Sequence, residues 1–582
     1  MPTGVVSQRS NGEELSTPRA VPRGTGAKDY VGIAILILVV AIVGYLTILP
    51  IFYLLWGTFF DSDGFTLGAI QRALEGDLVS ELLWNSTVFA VGATIVSVCS
   101  GTFLAFLTQR TDIPGKRALF VLAIVPLIIP GILYTVSWVF LASPRIGLLS
   151  TVLRDIGLPP VNVFSMTGMV LVQGFDGAAL AFLLMVAVFR SMDPSLEESA
   201  ISSGASIVQL VRRISLPLVV PGVIACSLLM LVRNYESFET PAILGPSAGV
   251  WVLTSRIYDV LRIYPADYGQ AGAYSLTLLV LISILSLWYF RYLSRGKRFE
   301  VIGGKGFRPR PLPLRTWRVP MTLFAWAYLI LTVVLPVVML VYMSVQSYLA
   351  PVSLDSLRQA SFATYETVLA SGAVRRSFAN SIFLGVATAT ALMTLTAVAS
   401  WIVLRSNVRG RWLLDLLTYA PLVIPGLVLG VGLLFIYLRL PIGIYGSLWI
   451  LFIAYATRFI PYAMRYASAS MRQISGELEE SARTCGANWL QTFRLVVLPL
   501  LIPGFFAGWL YVFMISMREL SSSILLYSPG NEVLAVTIWR LYEDGGLNQL
   551  AAVGVLMVLV LIVVSLVARR VFARFGVSEY AA

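Results

Sequence analysis

Apolar runs of 20 or more residues recur along the whole chain, and no other feature limits its fold as strictly. A run of that length crosses the roughly 30 Å hydrocarbon core of a bilayer as one helix. A helix also pairs its own backbone N–H and C=O groups, which hydrocarbon cannot do. Composition agrees. The chain has 582 residues, 58% of them hydrophobic and 12% charged, about half the charge of a soluble domain. The fold class expected is an all-α polytopic membrane protein with about 12 transmembrane helices. They fall at roughly 31–57, 82–108, 118–142, 166–189, 218–243 and 269–293, then 321–346, 379–404, 413–438, 447–464, 503–528 and 550–573.

The composition also excludes chemistry. There is no histidine, so His-ligated zinc and every Ser-His-Asp arrangement are ruled out. Cys99, Cys226 and Cys485 form no CxxC pair and read as small apolar packing residues. The net charge of +12 does not point to nucleic acid, because Lys and Arg accumulate in the cytoplasmic loops of membrane proteins.

The same rule orients the chain. Arg295, Lys297, Arg298, Lys305, Arg308, Arg310, Arg315 and Arg318 stand against one acid, Glu300. This Pro- and Gly-rich stretch reads as a cytoplasmic linker. The domains expected are a disordered tail at 1–29, a first six-helix unit at 30–294 and the basic linker at 295–318. A second six-helix unit at 319–575 and a tail at 576–582 complete the chain. Both termini are expected inside, with the first span acting as an uncleaved signal.

A polar passage occurs twice. EESAISSGASIVQLVRRISLPLVVPG begins at Glu197, and EESARTCGANWLQTFRLVVLPLLIPG begins at Glu479. Glu198, Gly204, Pro217 and Gly222 recur as Glu480, Gly486, Pro499 and Gly504, offset by 282. Asn85-Ser86 and Ile129-Pro130-Gly131 recur as Asn380-Ser381 and Ile424-Pro425-Gly426, offset by 295. With six spans per half, the halves are parallel repeats about an axis along the membrane normal.

Each passage, near 193–222 and 475–504, reads as a short amphipathic helix between spans. Asp193 with Pro194, and Ser475, are candidate starts. Gly204 and Gly486 suit the left-handed end. A second short helix follows, and Pro217 and Pro499 are expected to break the chain before the next span. A capped hairpin that only joins two spans is one reading. A docking element is the other, favoured because an unconstrained loop should not match its duplicate at so many positions.

At these residues the chain resembles the permease subunits of ATP-binding-cassette importers of type I, whose EAA loop has Glu, Ala, Gly and Leu-Pro at this spacing. Glu198, Ala200, Gly204 and Pro217 match, as do Glu480, Ala482, Gly486 and Pro499. Ser199 and Ser481 replace the central Ala. Two fused units, and the stretch MRELSSSILLYSPGNEVLAVTIW from Met517, are similar to the ferric-iron and thiamine branch. The resemblance implies two copies of an ATPase subunit docked on loops that include Glu197 and Glu479. It also implies an extracytoplasmic substrate-binding protein and an inner-membrane location, with ATP and magnesium on the partner subunits. No cofactor is expected in this chain, which has no GxxxxGK[ST]. Ferric iron is the leading substrate implied. Thiamine, a polyamine, a phosphonate or another small solute are alternatives, and a twelve-span secondary transporter is a second reading.

Charges inside spans are rare and costly. Arg233, Glu236 and Glu239 follow the first passage, and Arg518 and Glu519 follow the second. Asp176 and Arg458 also fall within spans. They serve either as packing ion pairs or as a gate on the pathway. Arg233 and Glu236 are spaced to pair along one helix face, and Glu236, Glu239 and Glu519 are candidate ligands for a hard cation. Pro130 and Pro425 are expected to kink their helices. Amphipathic stretches at 250–264 and 533–542 are expected outside.

Overall fold

In the computed structural model, residues 30–61, 64–75, 78–193, 195–296, 311–349, 352–406, 408–440 and 442–574 are described. The predicted tails and most of the basic linker lie outside them. Nearly everything described is helix. The one sheet among the described residues pairs Phe60–Asp61 with Gly64–Phe65.

Nine helices among the described residues are long and apolar enough to cross a membrane, and eleven if each of two bent pairs counts as one span. The expectation of twelve exceeds this by one. The remaining segment is Leu448–Gln473, a 26-residue helix that carries Arg458, Arg465 and Arg472 and is too polar to qualify. Many hydroxyl groups within the spans satisfy themselves on the preceding turn. Ser86, Thr94, Ser97 and Thr108 each donate to the carbonyl four residues back, the partner available when water is not.

The two bent pairs are not kinks. Lys116–Leu127 meets Gly131–Ala142 at 106°, and Arg411–Val423 meets Gly426–Arg439 at 107°. Pro130 and Pro425 take extended backbone, ψ 139 and 144, and start new helices. Proline has no N–H to continue the first helix, so each span is broken outright.

The opposite correction applies at Pro217 and Pro499. They do not end the helix. Val211–Ser215 and Phe493–Val497 widen into π turns and run directly into Leu216–Glu236 and Leu498–Met517. The wider turn shifts the carbonyl that the proline ring would strike. The same device precedes Pro336, at Ile330–Val334.

The halves interlock through their first spans. Tyr30–Phe59 packs on the broken span of the second half. Tyr45 Oη meets Tyr437 Oη at 2.5 Å, and Thr47 Oγ1 donates to the Leu417 carbonyl at 3.2 Å. Reciprocally, Leu335–Ser344 packs on Gly131–Ala142, and Tyr134 Oη donates to the Thr332 carbonyl at 2.7 Å. One buried apolar cluster takes in both halves, from Val43 and Leu133 to Leu427 and Leu550.

Within a half, small residues set the spacing. A Cβ at Gly101 would lie 2.6 Å from the Phe182 backbone nitrogen. Glycine therefore lets Leu78–Arg110 and Met166–Ser191 touch backbone to backbone.

The predicted amphipathic stretches are the helices Leu253–Arg262 and Leu534–Glu543. Repeated Asn-Ser pairs anchor both. Asn85 Nδ2 donates to the Trp251 carbonyl and Ser86 Oγ accepts from the Leu253 amide. Asn380 Nδ2 donates to the Glu532 carbonyl and Ser381 Oγ accepts from the Leu534 amide. In each case the serine satisfies an amide that the helix start leaves free.

Candidate functional site

Two features stand out: the repeated passages at one end, and a layer of charges where the spans break.

The first passage forms Ser195–Ser202, turns at Gly204 (φ +83) and continues as Ile207–Leu210. The second forms Gly476–Thr484, turns at Gly486 (φ +88) and continues as Trp489–Thr492. Both glycines hold the left-handed conformation expected of a helix end. Asp193 Oδ1 accepts from the Ser195 amide at 2.9 Å, and that backbone bond holds its carboxyl below the usual range. Ser475 Oγ accepts from the Glu477 amide at 3.3 Å. Both predicted starts therefore carry a side-chain-to-backbone bond, while Pro194 lies outside the described residues.

The two adjacent glutamates of the motif differ in environment where both are described. Glu479 is buried and Glu480 is exposed. In the first copy Glu197 is 3% exposed and paired with Arg110, itself 2% exposed. Glu197 also accepts from Ser215 Oγ at 2.7 Å, inside the π turn. Glu479 faces Arg405 at 3.5 Å and accepts from Trp401 Nε1 at 3.3 Å. Arg405 also donates to the Met471 and Ile474 carbonyls. Arg110 and Arg405 end equivalent spans, Leu78–Arg110 and Gly372–Arg405. Each passage is thus riveted to the second span of its own half. Ala200 and Ala482 are half-buried. By the charge rule alone Arg110 and Arg405 read as cytoplasmic loop charge. Their offset of 295, shared with the Asn-Ser pairs, was the available signal.

Four of the intramembrane charges, Glu236, Glu239, Arg518 and Glu519, sit at helix breaks, while Asp176, Arg233 and Arg458 lie within helices. Leu216–Glu236 ends at Glu236 and Glu239–Leu244 begins at Glu239. Leu498–Met517 ends just before Arg518 and Glu519. Glu519, 7% exposed, is paired with Arg458 at 2.7 Å. It also accepts from the amide and hydroxyl of Ser522 at 2.9 and 3.0 Å, which serves the start of the next short helix. Arg518 donates to the Leu127 carbonyl across the halves. The predicted pairing of Arg233 with Glu236 forms no salt bridge among the described residues, although both lie in Leu216–Glu236 and Glu236 sits in the Coulomb field of Arg233.

The repeated glycines after Pro130 and Pro425 make room for this layer. A Cβ at Gly131 would lie 2.0 Å from Glu239 Oε2, and one at Gly426 would lie 1.3 Å from an Arg458 guanidinium nitrogen. The glutamate thereby reaches the positive end of Gly131–Ala142. Asp176 and Arg458 are separated by 282, the offset of the passages. They hold matching places in Met166–Ser191 and Leu448–Gln473 with opposite charge. Asp176 and Glu239 lie in the Coulomb field of Arg518, and Glu236 in that of Arg458. Among the described residues no three Cys, Asp or Glu side chains converge to hold a metal ion. Glu236, Glu239 and Glu519 therefore share a layer without forming a ligand set.

At the opposite end from the passages, Leu253–Arg262 and Leu534–Glu543 close on each other. Trp539 Nε1 donates to Tyr258 Oη at 3.1 Å and to Glu543 Oε1 at 2.7 Å. Arg262 pairs with Glu543, and Phe238 packs at a tilt against Trp539 with centroids 5.3 Å apart. Burial pushes the Tyr258 hydroxyl well above its ordinary pKa.

Comparison with known proteins gives a consistent picture. The profile of the binding-protein-dependent transport system inner membrane component family matches residues 97–299 and 381–576. The chain is 25% identical over 470 residues to the Fe(3+)-transport system permease protein FbpB 2 of Haemophilus influenzae, covering 80% of this chain and 85% of that protein. It is 24% identical over 545 residues to the ferric transport system permease protein FbpB of Actinobacillus pleuropneumoniae, covering 92% and 77%. It is also 28% identical over 233 residues to the galactooligosaccharides transport system permease protein GanP of Bacillus subtilis, covering 36% and 56%.

Proposed function

The chain belongs to the family of binding-protein-dependent transport system inner membrane components, and we propose that it forms the whole substrate pathway of an ATP-driven importer. In this reading the two passages lie in the cytosol, with both termini on that side, and each receives one ATPase subunit. A binding protein delivers the substrate to the opposite end, and ATP and magnesium belong to the partner subunits.

The observation that carries the reading is the duplicated anchor, Glu197 on Arg110 and Glu479 on Arg405. A docking helix transmits force only if it cannot swivel on its own span. In each copy an acid beside the motif glutamate fixes the helix to the second span. The π turn below it continues without interruption into the fifth span, so a push on the passage reaches the charged layer at that helix's far end.

Ferric iron is the leading substrate, supported by the two relatives named for it, each about a quarter identical. A relative named for galactooligosaccharides keeps other small solutes, including thiamine, polyamines and phosphonates, as alternatives. The test is purification of this chain with its ATPase and binding protein, followed by ATP-driven uptake of radiolabelled iron in vesicles. Uptake without any co-purifying ATPase, driven by an ion gradient alone, would refute the coupling.

A further inference from the structure

We propose that Arg233 is an anion-docking point in the pathway between the halves, so that the cargo crosses carrying at least one anionic group such as a carboxylate or phosphonate. The inference rests on the importer reading and narrows its substrate class. A ferric cargo would then travel as an anionic chelate rather than as the bare cation.

Arg233 differs from the other guanidinium groups of the layer. Arg458 is spent on Glu519 and Arg518 on the Leu127 carbonyl. Arg233 is exposed and takes part in no ion pair or hydrogen bond among the described residues. Its neighbours fix the direction of the helix. Asn234 Nδ2 donates to Thr94 Oγ1 at 3.0 Å, and Tyr235 Oη donates to Thr87 Oγ1 at 2.9 Å. Both hold that side of the helix against the second span of their own half. Arg233 lies within Coulombic reach of Asp176 and Glu236 in its own half and of Arg518 and Tyr462 in the other. An unpaired guanidinium in hydrocarbon is costly, so this one faces water between the halves.

What surrounds it suits an anion better than a bare cation. The rings of Tyr462 and Tyr466 stand 5.8 and 5.4 Å from that of Tyr511, which is itself exposed. Tyrosine hydroxyls donate to carboxylate and phosphonate oxygens. The helix Gly426–Arg439 begins in the same layer, against Arg458, and the start of a half-helix adds positive potential. The absence of three converging carboxylates among the described residues argues against direct ligation of a metal.

The test uses the assembled complex in vesicles, with radiolabelled ferric citrate and 2-aminoethylphosphonate as anionic probes and thiamine as a cationic one. Arg233→Gln is expected to lower ATP-driven uptake of the anionic probe that is carried by about tenfold or more, the scale of one charged hydrogen bond. Arg233→Lys should recover part of it. Arg233→Cys, with Cys99, Cys226 and Cys485 changed to Ser, should be labelled from water. A cationic thiosulfonate should restore uptake and an anionic one should not. Unchanged uptake by Arg233→Gln, uptake of thiamine alone, or a thiol that water-borne reagents cannot reach each overturns the proposal. Failure of the importer reading looks different, since the unsubstituted complex would then retain no ATPase.

Discussion

Tyr258 and Trp539 hold the same place in the two halves, and they touch. Trp539 Nε1 donates to Tyr258 Oη at 3.1 Å, and the separation of 281 residues also relates Arg262 to its partner Glu543. A residue meets its own repeat only where a pseudo-two-fold axis passes, so the axis runs through this seam. The axis relates the backbones but not the chemistry, which is a hydroxyl against an indole and a guanidinium against a carboxylate.

That seam should contribute strongly to stability. Trp539→Ala removes a buried ring and two donated bonds, and it is expected to cost about 3–5 kcal/mol. Trp539→Phe keeps most of the packing and should cost about 1–3 kcal/mol, because Glu543 loses a charge-assisted partner. Thermal unfolding of the purified complex measures both, and equal effects would contradict the role given to the indole nitrogen.

The anchor pairs should behave as buried ion pairs do. Arg110→Ala leaves Glu197 buried without its counter-charge and is expected to cost about 3–5 kcal/mol. Changing Arg110 and Glu197 together to Met should cost less than Arg110→Ala. The Arg405 pair is longer, at 3.5 Å, so Arg405→Ala should cost less than Arg110→Ala. Chemical denaturation of the three variants reads the order.

Coupling should depend on the repeated motif glutamates of the passages. Glu198→Ala combined with Glu480→Ala is expected to abolish substrate-stimulated ATP hydrolysis while membrane insertion persists. If stimulation survives in this double variant, the passages are joints and not sockets.

The charged layer should be intolerant of added volume. Gly131→Ala and Gly426→Ala place a methyl group on Glu239 and Arg458 and are each expected to cost about 1–3 kcal/mol. Glu236→Gln with Glu519→Gln removes two charges without volume. Uptake should stop in that variant while the complex still assembles, and normal uptake would leave packing as the only role of these acids.

Much of this architecture is legible in the chain itself, and the illegible parts have physical causes. Hydropathy locates the spans because lipid tolerates little else at that depth. It counts Leu448–Gln473 as a span, although three arginines dilute that helix below what a span requires. The offsets of 282 and 295 reveal the repeat and hence the equivalence of Glu197 and Glu479. They do not say that Arg110 and Arg405 turn inward, because the charge rule treats every basic residue near a span end as facing water. Pro217 and Pro499 are read as breakers by local sterics. Widening to a π turn is a cooperative response of the neighbouring residues that a single-residue rule does not contain. The crossing of each first span into the other half leaves no trace in periodicity, since an apolar face fits an apolar partner in either half.

The crossing of Tyr30–Phe59 has a consequence for biosynthesis. Thr47 bonds to a carbonyl 370 residues downstream, so this helix waits for a partner made much later. At about 5–20 residues per second this takes roughly 20–75 s. Throughout that interval a membrane-inserted helix presents an unoccupied face to lipid and to any chaperone within reach. Production of the intact protein therefore turns on how well that nascent helix is sheltered.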